Sequence, residues 1–170
     1  MAKPSLGDVQ AAILDPMLSD NYQVLFGNLP LGLSSRSLLV QCRTASKPGL
    51  TINNVEVQLF GHTVEHASNL TYGHDMTIEY VENRSAEISN ILESWSKMTR
   101  NPATQMGGYK SEYAVNAVFT IFDQKGNAVR KYQVYNLWPN QLPDLSFDGQ
   151  ASNLITLSVT FKYDWWEVIA

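Results

Sequence analysis

Cysteine is nearly absent from this sequence, and long apolar runs are missing. The single cysteine, Cys42, excludes an internal disulfide and offers no zinc-ligand spacing, so we expect it to be a buried small apolar residue. No run approaches the roughly 20 apolar residues that a membrane-spanning helix needs. The N-terminus also lacks the apolar segment of a secretory signal. These absences predict a protein that is made in a cytoplasm and enters no membrane.

Charged residues are also scarce. They make up 16% of the 170 residues, whereas about 25% is usual in soluble domains. A surface so poor in charge is typical either of an ordinary β-rich domain or of a subunit covered by copies of itself. The formal net charge of −4 argues against tight nucleic-acid binding, which needs a basic face, but DNA could slide past a weakly acidic wall.

The length suits one domain spanning residues 1–170, and a strand pattern runs through much of it. Alternation of apolar and polar side chains predicts strands with one buried face. In the clearest segment, 153–163, one face carries Ile155, Leu157, Val159, Phe161 and Tyr163, and the other carries Leu154, Thr156, Ser158, Thr160 and Lys162. Similar patterns predict strands at 22–26, 38–44, 75–82, 113–122 and 129–137, the last ended by Trp138-Pro139.

Other segments depart from this pattern. Residues 85–100 have helical spacing of apolar side chains and predict one helix. Residues 52–70 predict a protruding hairpin with its tip at Gly61-His62, or a long loop, docked on a partner or on its own domain. Residues 1–20 predict a loosely held N-terminal arm with a brief helix ended by Pro16. The predicted fold is mainly β, an antiparallel sandwich or partial barrel of about seven strands with one helix packed on it.

Motifs for catalysis and metal binding are weak or missing. His62 and His66 are four residues apart in the sequence. On a strand this spacing places them about 13 Å apart, too far to share a metal without a bend. The acidic pair Glu79/Glu82 is more typical of a solvated surface than of catalytic carboxylates. The sequence has neither a Gly-x-Ser-x-Gly elbow nor a phosphate loop, so we expect no enzymatic activity, no metal and no cofactor.

The tryptophans supply the remaining binding hypothesis. Trp138, Trp165 and Trp166 could stack on sugar rings, as in a carbohydrate-binding module, or become buried in a subunit contact. Adjacent residues of a strand point to opposite sides, so at least one of Trp165 and Trp166 should leave the core. Because tryptophans near a chain end need cover, we favour a subunit contact over a ligand platform.

The C-terminal third of the chain has a recognisable order. Residues 135–140 (Tyr-Asn-Leu-Trp-Pro-Asn) lead through an acidic and apolar connection to segment 153–163 and then to Asp-Trp-Trp-Glu at 164–167. This order resembles the tail tube proteins of contractile-tailed phages, in which a strand ends in a Leu-Trp-Pro-type turn and the last strand ends in an aromatic pair near Asp and Glu. The opening hairpin, the helix with Trp95 and the loop at 107–113 are more loosely similar to the same family.

The resemblance implies a structural protein rather than an enzyme. Tail tube proteins form hexameric rings that stack into the inner tube of the tail, and each subunit gives strands to a shared β-barrel whose polar faces line the channel. Expected partners are copies of the chain itself, the tail sheath, the tape-measure protein, and the baseplate and tail terminator proteins. The resemblance thus implies a virion protein, made in the host bacterial cytoplasm, past which double-stranded DNA moves without specific binding.

The resemblance also assigns residues to two surfaces. The expected inter-subunit interface consists of Trp138, Pro139, Trp165, Trp166, Glu167, Val55, Val57 and Leu59. The expected channel lining consists of the polar strand residues Thr77, Glu79, Thr156, Ser158, Thr160 and Lys162. Two alternatives remain open: a tube subunit of a type VI or extracellular injection device, which would pass proteins instead of DNA, and a carbohydrate-binding β-sandwich module.

Overall fold

The computed structural model of the chain describes residues 3, 5–7, 17–145 and 153–169. Nine strands and three α-helices lie in this part, together with a 3-10 turn at Pro30–Gly32. The strands are β1 (Tyr22–Phe26), β2 (Cys42–Ala45), β3 (Leu50–Leu59), β4 (His62–Tyr72), β5 (Asp75–Val81), β6 (Val115–Phe122), β7 (Ala128–Gln141), β8 (Thr156–Lys162) and β9 (Trp165–Val168). The helices are α1 (Ser35–Val40), α2 (Glu87–Thr99) and α3 (Lys110–Tyr113).

Seven strands form one antiparallel sheet, the main sheet, in the order β1-β6-β7-β8-β5-β2, with β9 also paired to β7. One edge of the long strand β7 pairs with β6, and its other edge pairs first with β9 and then with β8. Strands β3 and β4 form a separate two-stranded sheet, the β3–β4 hairpin. The predicted mainly β, antiparallel fold is therefore confirmed.

The main sheet bends around a single core. Phe26 of β1 and Phe161 of β8 are not on neighbouring strands, yet their ring centroids lie 5.6 Å apart. The predicted apolar faces of β5 and β8 are buried here, with Met76, Ile78 and Tyr80 from one strand and Leu157, Val159 and Phe161 from the other. Helix α2 covers this core with Ile88, Ile91, Leu92 and Trp95, as its helical spacing predicts.

The start of α2 is held by two side chains that precede it. The Asn83 Oδ1 accepts the backbone N–H of Glu87 at 3.2 Å. The Glu82 carboxylate accepts the backbone N–H groups of Ile88 at 3.2 Å and Ser89 at 2.9 Å. Burial alone would raise the pKa of Glu82, but the hydrogen bonds from Ser89, Asn83 and Ile88 outweigh it and lower that pKa. Glu82 thus satisfies N–H groups that would otherwise lack partners at the helix end.

We expect Glu82→Gln to lower the free energy of unfolding by about 1 kcal/mol near neutral pH, since a charged acceptor at a helix start is lost. The folded-state pKa is depressed, so this stabilisation is present above the unfolded pKa of about 4.3 and is lost as the pH falls through the folded-state pKa. Urea unfolding followed by circular dichroism measures the free energy of unfolding of both proteins, once at a pH above the unfolded-state pKa of Glu82 and once at a pH below its folded-state pKa. Glu93→Gln, at an exposed position of the same helix, is the control. If Glu82→Gln lowered the free energy of unfolding equally at both pH values, the charge of Glu82 would not be what stabilises the start of α2.

Four predicted element boundaries are wrong. The strand predicted at 113–122 begins only at Val115, because Tyr113 belongs to α3. Residues 38–40 belong to α1 and not to a strand, because Leu38 reaches the core from a short helical turn, and a short apolar run does not distinguish these two structures. Strand β7 continues through Trp138 and Pro139 to Gln141, because Pro139 lies beside a register shift, where a missing N–H is tolerated. Ile155 precedes β8 and is exposed rather than buried.

Two further predictions concern the hairpin tip and the N-terminal arm. The turn of the β3–β4 hairpin lies at Phe60-Gly61, one residue before the predicted tip, and both residues have positive φ, 52° and 77°. A two-residue turn with positive φ at both positions matches the twist of the flanking strands. The predicted N-terminal helix ended by Pro16 lies outside the described residues.

In the described part, no helix has both the length and the apolar character to span a membrane.

Candidate assembly surfaces

The β3–β4 hairpin is the most exposed part of the described structure. Between residues 50 and 72 every residue except Asn53 and Tyr72 is exposed. At its tip the Phe60 side chain is fully solvent-accessible, at 100%. Register pairing runs from Leu50 opposite Tyr72 to Leu59 opposite His62. A long hairpin with this much exposed apolar surface is typical of a segment that becomes covered by a partner.

One side of the hairpin tip is apolar and the other is polar. Directly opposed residues of an antiparallel pair lie on the same face. The register therefore groups Val55, Val57, Leu59 and Val64 on one face, named here the distal apolar face, with His62 and His66 beside them. The other face carries Asn54, Glu56, Gln58, Thr63 and Glu65. The predicted interface residues of the hairpin thus lie together on a single exposed face.

Trp165 and Trp166 lie on β9 and make different contacts. Trp165 is 39% exposed, and its ring stacks on Tyr135 with centroids 4.1 Å apart and planes 11° from parallel. Trp166 is half-buried and packs against the core, with its ring 5.5 Å from that of Tyr132 in an edge-to-face arrangement. One tryptophan therefore faces the surface and the other faces inward.

The remaining predicted interface residues differ in exposure. Trp138 is half-buried and packs edge-to-face on Tyr113 with centroids 5.9 Å apart, while Pro139 is buried. Glu167 is exposed and accepts a hydrogen bond from the Tyr135 hydroxyl, which raises the pKa of that tyrosine. The structure therefore places Glu167 next to the exposed Trp165 ring and leaves Trp138 and Pro139 largely covered by their own chain.

The turn between β8 and β9 is held by a charged contact that the sequence did not indicate. The Lys110 Nζ lies 2.6 Å from the Asp164 Oδ2, and the Asn136 Nδ2 donates to the same oxygen at 2.7 Å. The hydrogen bond from Lys110, with that from Asn136, lowers the pKa of Asp164. This contact joins α3, β7 and the turn between β8 and β9.

The predicted channel residues form one continuous surface on β5 and β8. In the register of these strands Thr77 lies opposite Thr160, Glu79 opposite Ser158, and Asp75 opposite Lys162. These six residues, named here the polar face, lie on the side of the main sheet away from the core. Thr156 continues the same row of β8 opposite Val81 and is half-buried.

Charges on the polar face are paired. The Lys162 Nζ lies 2.6 Å from the Asp75 Oδ1, and the Arg43 guanidinium lies 3.4 Å from the Glu79 Oε1. Sequence reasoning missed Asp75 and Arg43, and only a correct guess of the β2–β5–β8 pairing could have found them. The surface that results is rich in hydroxyl groups and close to neutral.

The described residues offer little for chemistry. No group of three or more of them could hold a metal ion, and Glu82 is engaged at the start of α2. A cleft of about 500 Å³ lies between β1 and β2 and is lined in part by Tyr22, Cys42 and Arg43. The Cys42 thiol is half-buried, and burial raises its pKa, which disfavours the reactive thiolate.

A bent β-sheet subunit with an exposed apolar hairpin and open sheet edges is typical of a structural protein that assembles with copies of itself. The chain belongs to the phage tail tube protein family, whose family model matches residues 17–169. The family resemblance of the C-terminal third is therefore confirmed, and the tube interpretation is favoured over a carbohydrate-binding module. No match was found among curated proteins.

Solved structures of contractile injection systems share the fold. The anti-feeding prophage tube-terminating cap is 15% identical, with 91% of each chain covered and a TM-score of 0.67. The sheath/tube terminator of the PVC extracellular contractile injection system is 13% identical, and the alignment covers 91% of this chain and 97% of the terminator chain, with a TM-score of 0.68. A chain of the PVC sheath-tube complex is 13% identical, with 99% of each chain covered and a TM-score of 0.66. At these identities the similarity shows the fold alone.

Proposed function

We propose that this chain is the subunit of the inner tube of a contractile phage tail, forming hexameric rings that stack around a channel for genome delivery. The observation that carries the proposal is the β3–β4 hairpin, whose distal apolar face stays exposed in a chain of the tail tube family. Burial of that face in a neighbouring subunit removes apolar surface from water, which favours assembly.

Ring closure in this proposal uses the open edges of the main sheet. β1 and β2 are the ends of the strand order, and β9 pairs only with β7 among the described strands. Unpaired edges of this kind are satisfied when subunits join into a shared barrel. The exposed Trp165 and Glu167 lie beside the β9 edge and are the stronger interface residues, while Trp138, Pro139 and Trp166 contribute mainly through their support of that edge.

The channel lining in this proposal is the polar face of β5 and β8, continued by Thr156. Its hydroxyl groups are uncharged, and its carboxylates are paired with Lys162 and Arg43. Such a wall offers DNA phosphates no excess of positive charge to bind, and the net charge of −4 for the chain acts in the same direction. Double-stranded DNA would therefore pass without specific contacts.

The proposed position in the particle follows from the tube. The sheath surrounds the outer surface, the tape-measure protein occupies the channel before the genome, and the baseplate and tail terminator proteins meet the two ends. The subunit is made in the host bacterial cytoplasm and functions in the virion tail. Family membership supports this arrangement, and two of the similar solved structures are a terminator and a sheath-tube complex of another contractile system.

A tube that delivers proteins is the second candidate. The observation in its favour is that the similar structures named above come from the anti-feeding prophage and from the PVC extracellular contractile injection system. The assembly would be the same, and only the cargo would differ. Particles purified from producing cells separate the two candidates, since a phage tail is joined to a DNA-filled head and an injection device is not.

Electron microscopy of the purified chain at increasing concentration tests the proposal. We expect rings with a central hole and, at higher concentration, stacked tubes. A monomer at every concentration, even after addition of sheared tubes from native particles as seeds, would contradict it. In a reconstruction of the tubes the polar face should line the hole, and its appearance on the outer wall would remove the channel assignment.

A further inference from the structure

The orientation of the β3–β4 hairpin is not determined by sheet hydrogen bonding. Among the described strands, β3 and β4 pair only with each other. The hairpin joins the main sheet through two short connections, residues 46–49 after β2 and residues 73–74 before β5. Contacts at the hairpin base must therefore determine the direction in which its tip points.

The Trp166 side chain contacts both chain segments of the hairpin base, the one that enters β3 and the one that leaves β4. The Trp166 Nε1 donates to the Gly49 carbonyl oxygen at 3.1 Å, immediately before β3 begins. The Trp166 ring also packs edge-to-face on Tyr72, the last residue of β4, with centroids 6.2 Å apart. The Tyr163 hydroxyl donates to the same Gly49 oxygen at 3.5 Å.

Trp166 also packs against the main sheet, of which its own strand β9 is part. Its ring lies 5.5 Å from that of Tyr132 on β7. The Lys47 Nζ lies 4.9 Å from the centroids of both the Trp166 and the Tyr132 rings, a cation–π arrangement that joins the connection before β3 to the same group. Trp166, Tyr72, Tyr132 and Lys47 are named here the aromatic clamp. Trp165 faces the opposite way, onto Tyr135, and lies outside the clamp.

We infer that Trp166 is a positioning residue that locks the hairpin base to the main sheet and so holds the distal apolar face in the orientation needed for assembly. This inference rests on the proposed function, because only a subunit that buries the hairpin in a neighbour benefits from its orientation. Ring closure through the main sheet and stacking through the hairpin then become separable steps. In this inference β9 controls the second step through the orientation of the hairpin.

The orientation is measured on the free subunit by pulsed electron paramagnetic resonance. Spin labels are attached at Gln58→Cys near the hairpin tip and at Lys125→Cys in the β6–β7 turn, both exposed, in a Cys42→Ser background. We expect one narrow distance distribution in this reference protein and a broad one after Trp166→Ala. Trp165→Ala, an identical change on the neighbouring residue of the same strand, should leave the distribution narrow.

Two further variants cover the case in which Trp166→Ala disturbs folding. Trp166→Phe keeps an aromatic ring and should restore most of the narrow distribution, while Tyr72→Ala removes the hairpin partner of Trp166 without changing β9 and should broaden it. A narrow distribution in both Trp166→Ala and Tyr72→Ala would overturn the inference. A broad distribution in Trp165→Ala would also overturn it, because the effect would then be general loosening of β9.

Assembly is measured separately on the unlabelled proteins. We expect Trp166→Ala to form rings with a large loss of stacked tubes, and Trp165→Ala to retain stacking in any rings it forms. Tubes of normal length from Trp166→Ala would overturn the inference while leaving the tube function intact. Failure of the unchanged protein to assemble, even when seeded, would instead refute the proposed function, whereas the distance measurement would still report on the clamp itself.

Discussion

Replacement of Val57 by glutamate is expected to abolish tube formation while the subunit stays folded. Val57 lies on the distal apolar face between Val55 and Leu59 and is already 37% exposed in the subunit, so the new charge remains hydrated before assembly. In an assembled tube the same charge would be buried without a partner, at a cost of about 3 kcal/mol or more. That cost weakens each contact about 100-fold, and it recurs in every subunit of every ring.

Gln58→Glu is the matched control for this variant. It adds the same charge at the adjacent exposed position, but on the polar face of the hairpin. Pelleting and negative-stain electron microscopy measure tubes, and thermal unfolding by circular dichroism measures the subunit. Tubes of normal abundance from folded Val57→Glu would show that the distal apolar face is not an interface. Loss of tubes in both variants would mean that both faces of the hairpin become buried.

Replacement of Trp95 by alanine is expected to lower the free energy of unfolding by about 3–5 kcal/mol. Trp95 is 0% exposed, and its ring lies 6.1 Å from Phe26 on β1 and 5.9 Å from Phe161 on β8. Its Nε1 donates to the Tyr113 carbonyl oxygen at 2.6 Å, so the variant also leaves a carbonyl without this partner. Since domains of this kind are stable by about 5–15 kcal/mol, much of the folded population is at risk.

Urea unfolding followed by circular dichroism measures this loss, and Trp95→Phe provides the comparison. Phenylalanine keeps an aromatic ring in the core but removes the donor, so it should cost less than alanine. A loss below about 1 kcal/mol for Trp95→Ala would mean that the core closes around the missing ring, contrary to the tight packing expected between α2 and the main sheet.

The assembly surfaces were only partly predictable. Alternation along residues 75–81 and 156–163 correctly indicated which side chains face away from the core, because the period of two is a local property of a strand. The pairing of Lys162 with Asp75 depends on the register between β5 and β8, which are far apart in the chain. A one-residue shift would have placed other side chains opposite each other, and local patterns do not exclude such a shift.

By itself, the sequence determined the mainly β class and helix α2, and it offered the β3–β4 hairpin as one of two possibilities, because periodicity and turn-forming residues act over a few neighbours along the chain. Tertiary structure decided the helical state of residues 38–40, the passage of β7 through Pro139, and the inward direction of Trp166. Each of these depends on a neighbour distant in sequence: the core around Leu38, the partner strand at Phe161, and the hairpin base at Gly49. The free energy of such contacts comes from burial and pairing across the fold, and local propensity is too weak to oppose it.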